Sequence, residues 1–380
     1  MNITYKTKLY LKNLPGKKTN RKIVVINIDD YGSIRVKNSE ARARMIQAGL
    51  PLDNNRYFCF DTLCTTEDLQ MMFDVLTSVK DKNGHYACVT PLANVANPDF
   101  EKIRNSNFTQ YYRESFVETF KRLGSAYDGA YELWKQGVSE DIFHPEYHGT
   151  EHICVRRFMR ALQQGHKSTL IAFDNESVCL SVLPEEKEIP FDASVFNIEK
   201  IEDNEVLKDY IKIGCEIFKE KLGYYPKQFT PGAGPHSLLL SPTLYECGIR
   251  YVDAARKMSS PLGDGQFEKH FYYNGKKDKY GMTYIVRNCV FEPYLDDCSK
   301  NNSAVKICLD NVDAAFRMHA PAIISTHRVN FTGGIEKTHR DDSLNQLQTI
   351  LKEIVKRWPD VEFMNSTQMA EELFDKKRQN

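Results

Sequence analysis

The chain has 380 residues, a length that suits two or three domains or one large α/β barrel. Its 51 Lys and Arg residues balance 51 Asp and Glu residues, which argues against bulk electrostatic binding to nucleic acid or an anionic membrane. Apolar residues make up 41% of the chain, enough for a large core, and no run reaches the roughly 18 apolar residues of a membrane-spanning helix.

Residues 1–21 are rich in lysine but lack the apolar run of a secretory signal, so we expect a cytoplasmic protein. The ten cysteines are scattered and form no Cys-x-x-Cys pair, which indicates reduced thiols that pack as small apolar side chains. Neither a cysteine-built zinc site nor a disulfide framework is expected.

Short β-branched runs alternate with longer helical patterns, as is typical of a parallel sheet with crossover helices. The first strand is predicted over residues 22–28, is apolar on both faces, and runs directly into Asp29 and Asp30. The other predicted strands cover residues 86–90, 141–144, 169–173, 228–230, 249–253, 322–326 and 361–364. The predicted helices cover residues 39–48, 151–164, 205–222, 303–318 and 341–357.

This alternation predicts an α/β fold, a distorted (β/α) barrel of seven or eight parallel strands with helical and loop insertions. We expect a single barrel domain over residues 1–380. Two stretches fit the alternation poorly. Residues 98–140 are interpreted as a helical insertion, and residues 258–302, rich in Gly, Asn, Tyr and Lys, as a loop or hairpin insertion.

Polar residues at the carboxyl ends of the strands are the functional candidates, because parallel α/β folds bind ligands there. Asp29 and Asp30 end the first strand, where a turn of the chain lets both carboxylates reach one site. Two adjacent carboxylates repel each other unless a cation or hydrogen-bond donors hold them, which suggests one metal ligand and one general base. The alternative is an ordinary turn in which an Asp caps the next helix.

His148 and His152 flank the start of the helix predicted over 151–164, and on the first turns of a helix a spacing of four puts both on one face. Together with Asp30 they would form a three-residue metal-ligand set that leaves room for water and substrate. One divalent cation is expected, with Zn²⁺ favoured and Co²⁺, Ni²⁺, Mn²⁺ and Fe²⁺ left open. Glu146 is a candidate fourth ligand or a hydrogen-bond partner of a ligand, and a plain turn residue is the simpler interpretation.

His327 follows the strand predicted over 322–326, and its ordinary pKa of about 6.5 suits a general acid near neutral pH. Asp253 is expected to orient and charge this imidazole, with a helix cap or a salt bridge to Arg256 or Lys257 as the alternative.

The loop of residues 231–234 contains two glycines, which let backbone N–H groups approach a ligand closely. Gly232 and Ala233 are therefore candidates to donate a hydrogen bond to an oxyanion.

Taken in order, these motifs resemble those of the polysaccharide deacetylase family, carbohydrate esterases with a distorted (β/α) barrel in the glycoside hydrolase/deacetylase superfamily. Residues 27–32 stand in place of the family's Thr-Phe-Asp-Asp-Gly, and residues 148–152 in place of its His-(Ser/Thr)-x-x-(His/Asp). Residues 229–234 are similar to its third motif, residues 251–253 to its fourth, and the strand that ends at His327 to its last. Asp-Asp-Tyr-Gly is also close to the Asp-Asp-Phe-Gly of YdjC-like chitooligosaccharide deacetylases.

The resemblance implies a metal-dependent hydrolase that removes an N- or O-acetyl group from a carbohydrate. It implies the following roles: Asp29 as base, Asp30, His148 and His152 as metal ligands, and His327 as acid. Tyr31 is a candidate for stacking on the sugar, with core packing as the alternative. The Arg that opens the family's third motif is replaced by Thr230, and Arg35, Arg256 or Lys257 are candidates to restrain Asp29 instead.

Two other functions remain open. One is a metal-free glycoside hydrolase, which would use Asp29 with Glu146 or Asp253 as its two carboxylates. The other is a non-catalytic barrel that binds glycans. For all three, we expect a carbohydrate ligand, no nucleic-acid partner and no membrane insertion, while the oligomeric state stays open.

Overall fold

The computed structural model describes residues 3–186, 191, 193–294, 300 and 303–375. Part of the predicted insertion at 258–302, including Cys298, lies outside these residues. The strands of the described residues are β1 Lys22–Tyr31, β2 Thr90–Asn94, β3 Ala96–Pro98, β4 Arg113–Ser115, β5 Glu146–Gly149, β6 Gln228–Phe229, β7 Tyr251–Asp253, β8 Lys257–Gly263, β9 Gln266–Phe271, β10 Thr283–Ile285, β11 Cys289–Val290, β12 Ala322–His327 and β13 Val361–Phe363. The α-helices are α1 Ile3–Asn13, α2 Ser39–Gln47, α3 Arg56–Cys59, α4 Thr66–Thr77, α5 Phe100–Asn105, α6 Phe116–Leu123, α7 Ala130–Ser139, α8 Val155–Gln163, α9 Lys167–Asp174, α10 Asp203–Leu222, α11 Ser241–Glu246, α12 Ala304–Arg317, α13 Lys337–Arg357 and α14 Ser366–Ala370.

The main sheet is parallel and curled, and its strand order is β10-β7-β6-β5-β2-β1-β12-β11, with β13 also paired to β1. From β1 to β10 the strands follow one another across the sheet in chain order, and β11 and β12 continue it on the other side of β1. The two edge strands are β10 and β11. The fold is an α/β half-barrel, which confirms the predicted architecture of parallel strands with crossover helices. The opening falls between β10 and β11, which are joined only by residues 286–288.

The lower interior of the half-barrel is apolar. Ile23 and Val25 of β1 pack there against Tyr251, Ile285 and Ile323. Because side chains on a strand alternate between its faces, Ile23 and Val25 share the interior face of β1 while their neighbours face the helices. The helix-facing side of the strand joins the largest apolar cluster, so both faces of β1 are buried as predicted.

The same alternation places polar side chains above this apolar layer. Continuing along β1, Asn27 and Asp29 follow Val25 on the interior face, and on β12 Ser325 and His327 follow Ile323. The β1–β12 register pairs Asp29 directly with His327. The carboxyl ends of the strands thus carry the polar site.

Three predicted elements need correction. The strand predicted at 86–90 is β2, which begins at Thr90 and continues through Pro91, a residue that the sequence pattern marks as a stop. The segment predicted as a strand at 169–173 belongs to α9, whose first turn is capped by the His166 side chain accepting from Thr169 N–H. The strand predicted at 141–144 is replaced by β5, which starts at Glu146.

The two insertions carry their own small sheets. Between residues 96 and 139, β3 pairs antiparallel with β4. Helix α5 connects these two strands, and α6 and α7 follow β4. In the second insertion β8 and β9 form an antiparallel hairpin beside the site. No helix of the described residues is both long and apolar enough to cross a membrane.

The described cysteines mostly follow the prediction. Eight of them are outside any disulfide, namely Cys64, Cys88, Cys154, Cys179, Cys215, Cys247, Cys289 and Cys308. Cys59 is disulfide-bonded, which the scattered spacing of the cysteines did not predict.

Candidate active site

A cavity of about 620 Å³ opens at the carboxyl ends of the strands. The structure brings seven of the predicted site residues to its wall: Asp29, Asp30, His148, His152, Ala233, Asp253 and His327. Gly232 lies directly behind them, because a Cβ at this position would stand 3.2 Å from Nε2 of His152. Residues that lie up to 298 positions apart in the sequence, Asp29 and His327, therefore face one space.

Asp30, His148 and His152 form the first cluster in this cavity, which we call the metal cluster. Oδ1 of Asp30 lies 2.9 Å from Nε2 of His152 and 3.4 Å from Nε2 of His148. One ligand atom from each of the three residues lies within 4.8 Å of the other two, and all three side chains are buried. Among the described residues, this is the one such group of His, Cys, Asp and Glu with the spacing to hold a metal ion.

Asp30 joins the cluster because the backbone turns at its position. On a regular strand it would face away from Asp29, but its φ of 75° lies in the left-handed region and ends the alternation. This conformation costs a non-glycine residue about 1–3 kcal/mol, and such strain is typical of functional sites. Gly32 completes the turn, since a Cβ there would stand 2.1 Å from the carbonyl oxygen of Asn94.

His148 and His152 reach the cluster by a different route from the predicted one. His148 lies on strand β5, and His152 lies in the loop that precedes α8, so they do not share a helix face. Gly149, with a φ of 132°, lets the chain fold back after β5. The two imidazole rings still come within 5.1 Å of each other, centre to centre.

The hydrogen bonds of His148 leave one nitrogen available. Its Nδ1–H donates to the carbonyl oxygen of Thr230 at 2.8 Å, so in the neutral tautomer Nε2 carries the lone pair. This buried Nε2 has no hydrogen-bond partner, yet it faces the carboxylate of Asp30. Two buried electron-rich atoms that face each other repel, and a cation between them removes the repulsion. The donor set of one carboxylate and two imidazoles therefore fits a divalent metal.

His152 carries the one contact that opposes a cation. Arg35 Nη2 donates to Nδ1 of His152 at 2.9 Å, so the imidazole proton lies on Nε2 and points at Asp30. Burial and the positive charge of Arg35 lower the pKa of His152 to about 4, so its ring is neutral at neutral pH. A metal on Nε2 requires the proton on Nδ1, where Arg35 now donates. Arg35 would therefore have to move if a metal were bound to Nε2.

Asp29, Arg287, Asp253, His327 and Glu292 form the second cluster, which we call the acid–base cluster. Arg287 donates to both oxygens of Asp29 at 2.7 Å, a bidentate pair that fixes the plane of the carboxylate. Burial by itself raises the pKa of Asp29, but Arg287 and His327 outweigh it and hold the pKa below its ordinary value. Asp29 is thus an ionised carboxylate in a fixed orientation.

Asp253 does not take its predicted role. Its Oδ2 accepts from Nε of Arg287 at 2.6 Å and from Nδ2 of Asn27 at 3.0 Å. Asp253 therefore positions the guanidinium that holds Asp29, whereas we predicted that it orients His327 or pairs with Arg256 or Lys257. One guanidinium bridges Asp29 and Asp253, so these two carboxylates do not flank an open space for a glycosidic bond.

Glu292 is the carboxylate that holds His327. Its Oε1 accepts from Nδ1–H of His327 at 2.5 Å, and Nε2 of the same ring lies 3.5 Å from Oδ2 of Asp29. Burial lowers the pKa of His327, but the charges of Glu292 and Asp29 outweigh it and raise the pKa to about 9. Glu292 is itself held by Arg56 at 2.6 Å and Asn330 at 2.8 Å. His327 is consequently protonated at neutral pH.

Arg287 and Glu292 are site residues that the sequence pattern does not reveal. Arg287 lies in the opening between β10 and β11, from which it reaches the interior, and Glu292 follows β11 by two residues. Both lie in a stretch interpreted as a loop insertion, because strands of two or three residues leave no alternation to read. The sequence does contain one signal for them: each follows a short apolar run directly, residues 284–286 before Arg287 and residues 289–291 before Glu292.

Two other predicted residues lie outside the cavity. Tyr31 is 1% exposed and packs in the core, with its ring 5.3 Å from Phe143 and 6.0 Å from Trp134, so it does not offer a face to a sugar. Glu146 accepts from the backbone N–H groups of Lys227 and Gln228, each at 2.8 Å. Burial raises the pKa of Glu146 to about 8, and its role is to join β5 to β6.

No family model matches the chain, and no curated protein matches it. Similar solved structures include a Mycobacterium smegmatis protein described as a polysaccharide deacetylase, 12% identical, with a TM-score of 0.40 over 94% of this chain and 91% of that one. A Parabacteroides distasonis protein described as a glycoside hydrolase/deacetylase is 9% identical, with a TM-score of 0.47 over 96% and 74%. The alpha-amylase AmyC of Thermotoga maritima is 11% identical, with a TM-score of 0.44 over 92% and 74%. These likenesses concern the architecture alone.

Proposed function

We propose that this chain is a metal-dependent hydrolase that removes an N- or O-acetyl group from a carbohydrate. The observation that carries the proposal is the unpartnered Nε2 of His148, buried and directed at the carboxylate of Asp30. Beside it stand a fixed carboxylate, Asp29, and a protonated imidazole, His327, the pair that acyl transfer to water needs. We also propose that one barrel domain with its two insertions performs the reaction.

Asp30, His148 and His152 would hold the cation, and Zn²⁺ suits this mixture of imidazole nitrogen and carboxylate oxygen. A divalent cation supplies two effects in such a site: it lowers the pKa of water and polarises a carbonyl group. The remaining chemistry belongs to side chains of the chain itself.

Asp29 would accept a proton from the attacking water, because Arg287 keeps its carboxylate ionised and fixed in the cavity. The water oxygen forms a bond to the acyl carbon, and the carbonyl electrons move onto its oxygen. A backbone N–H of Gly232 or Ala233 would donate to this oxyanion.

His327 would then donate its Nε2 proton to the leaving nitrogen or oxygen as the bond to the acyl carbon breaks. Glu292 keeps the ring protonated beforehand and holds its orientation. The products are acetate and the free amine or hydroxyl of the sugar. Asp29 returns its proton to solvent and His327 regains one, so the site is restored.

The test is acetate release from a panel of N- and O-acetylated sugars, combined with elemental analysis of Asp29→Asn and Asp30→Asn. We expect Asp29→Asn to keep its metal and to lose activity by about 10²–10⁴-fold, since only proton transfer is removed. Asp30→Asn should lose both. The exposed Asp360→Asn is the matched control and should lose neither.

Full activity of Asp29→Asn would contradict the proposed roles. A protein that binds no divalent cation and cleaves a glycosidic bond, with no acetate released, would instead support the glycoside hydrolase alternative.

A further inference from the structure

The charged groups of the cavity are almost all paired. Three carboxylates line the wall, and each has its partners: Asp29 and Asp253 share Arg287, and Asp30 faces the two imidazoles of the metal cluster. Three guanidiniums line it as well. Arg287 is neutralised by its two carboxylates, and Arg35 donates to His152. The third, Arg256, differs from both.

Arg256 lies three residues after Asp253, on the connection that leads from β7 into β8. Its Nη2 donates to the backbone carbonyl of Lys12, and its guanidinium carbon lies 5.8 Å from the ring centre of Phe271. Its Nη1 is shielded from solvent and has no hydrogen-bond partner. Among the described residues, no carboxylate forms an ion pair with this guanidinium.

The surroundings of Arg256 add to its positive charge. Burial, and then the charge of Arg256, lower the pKa of the Lys12 amine, so the two cations are close enough to repel each other. Ala254 and Ala255, which precede it in the chain, also line the cavity and offer it no charge. A partly buried cation without a carboxylate partner attracts an anion more strongly than a fully solvated cation does.

We propose that Arg256 binds an anionic substituent of the sugar, a carboxylate or a phosphate group, while the acetyl group lies at the metal cluster. The inference rests on the proposed function and names its substrate class: acidic sugars in preference to neutral ones. Either anion would compensate the positive charge of the guanidinium. A neutral hydroxyl would leave this charge uncompensated.

The test is calorimetric titration of the protein with three sugars: N-acetylglucosamine, N-acetylglucosamine 6-phosphate and N-acetylmuramic acid. Wild type should bind at least one of the two anionic sugars about tenfold more tightly than the neutral sugar, as one charge-assisted contact provides. The preferred anion identifies the substituent.

Arg256→Met should reduce this preference to about twofold or less, and Arg256→Lys should keep part of it because the charge remains. Arg250→Met is the matched control, since Arg250 precedes β7 and donates to backbone carbonyls outside the cavity. The control should bind all three sugars as the wild type does.

Equal affinity of the wild type for all three sugars would overturn the proposal, as would an undiminished preference in Arg256→Met or no binding of either anionic sugar. Acetate release, followed in parallel, reports on the proposed function separately. Anion preference without acetate release would contradict the deacetylase and retain the anion site. Acetate release without anion preference would support the deacetylase and contradict the anion site at Arg256.

Discussion

The two clusters of the cavity differ in how far the protein itself satisfies them. In the acid–base cluster, Asp29 has two donors and the imidazole of His327 has a carboxylate at 2.5 Å. In the metal cluster, Nε2 of His148 is unpartnered, and the guanidinium of Arg35 comes no nearer than 3.9 Å to the carboxylate of Asp30. The partners in the first cluster are all supplied by the chain, whereas the second leaves a buried imidazole nitrogen without a hydrogen-bond partner.

This difference separates two kinds of preorganisation. Side chains that must keep a fixed protonation state are held by protein partners of opposite charge, which cost no reorganisation during the reaction. Side chains that must accept a ligand are held at their far ends only, as Thr230 holds His148. Mutations in the two clusters should therefore fail in different ways.

His148→Ala should have the largest effect, because it removes one of three metal ligands. Loss of a residue that merely supports a ligand already costs about 10–100-fold in metal affinity, so loss of the ligand itself should cost more. We expect metal content near zero after dialysis, together with loss of activity. His85→Ala, at an exposed histidine, is the control, and metal retained at the wild-type level in His148→Ala would refute the cluster.

Arg287→Met should come second and should spare the metal. Without the bidentate contact, the pKa of Asp29 rises and its carboxylate can rotate, so we expect turnover to fall about 100-fold. The acid limb of the pH–rate profile should move to higher pH. Arg287→Lys should recover only part of the lost turnover, since a single ammonium group cannot donate to both oxygens of Asp29 in the bidentate geometry. Unchanged turnover in Arg287→Met would show that Asp29 needs no restraint.

Glu292→Gln should change mainly the alkaline limb of the pH–rate profile. His327 has a folded pKa of about 9, above its ordinary value, so its stabilising contribution is complete below about pH 6.5 and is lost as the pH rises through 9. Activity, which needs the protonated ring, should fall over the same upper range. The variant should shift this limb to lower pH and lose about tenfold at pH 9. A limb that stays in place, as expected for Glu246→Gln, would contradict the role of Glu292.

Arg35→Met should have the smallest effect and the opposite sign. It removes a positive charge near Asp30 and frees Nδ1 of His152 to carry the proton, so metal affinity should increase about tenfold. Competition for Zn²⁺ against a chelator measures the change, with the exposed Arg44→Met as control. Weaker binding would show that Arg35 supports the metal cluster.

The sequence predicts the positions of the site better than the elements that hold them. Asp29, Asp30 and His327 are found because they end long apolar strands, where the alternation is readable. His148 and His152 are found by their spacing, although the helix predicted for them is a strand and a loop. The spacing of residues in the sequence restricts which side chains can come together. It does not tell whether a helix, or a strand followed by a loop, brings them together.

Local sequence cannot place residues that enter the site through long-range packing. Arg287 reaches Asp29 across 258 positions, through the opening between two very short strands. Tyr31 follows two site residues directly, yet the left-handed turn at Asp30 sends it into the aromatic core. The positive φ of Asp30 therefore determines which way the side chain of Tyr31 points. The neighbouring residue types do not predict this φ.

The most direct test of the account is an X-ray structure of the protein supplied with Zn²⁺, with anomalous data collected at the zinc edge. We predict one strong anomalous peak in contact with Oδ1 of Asp30 and Nε2 of both His148 and His152, with Arg35 moved away from Nδ1 of His152. Absence of a peak between these three side chains, or a peak at other residues only, would contradict the account.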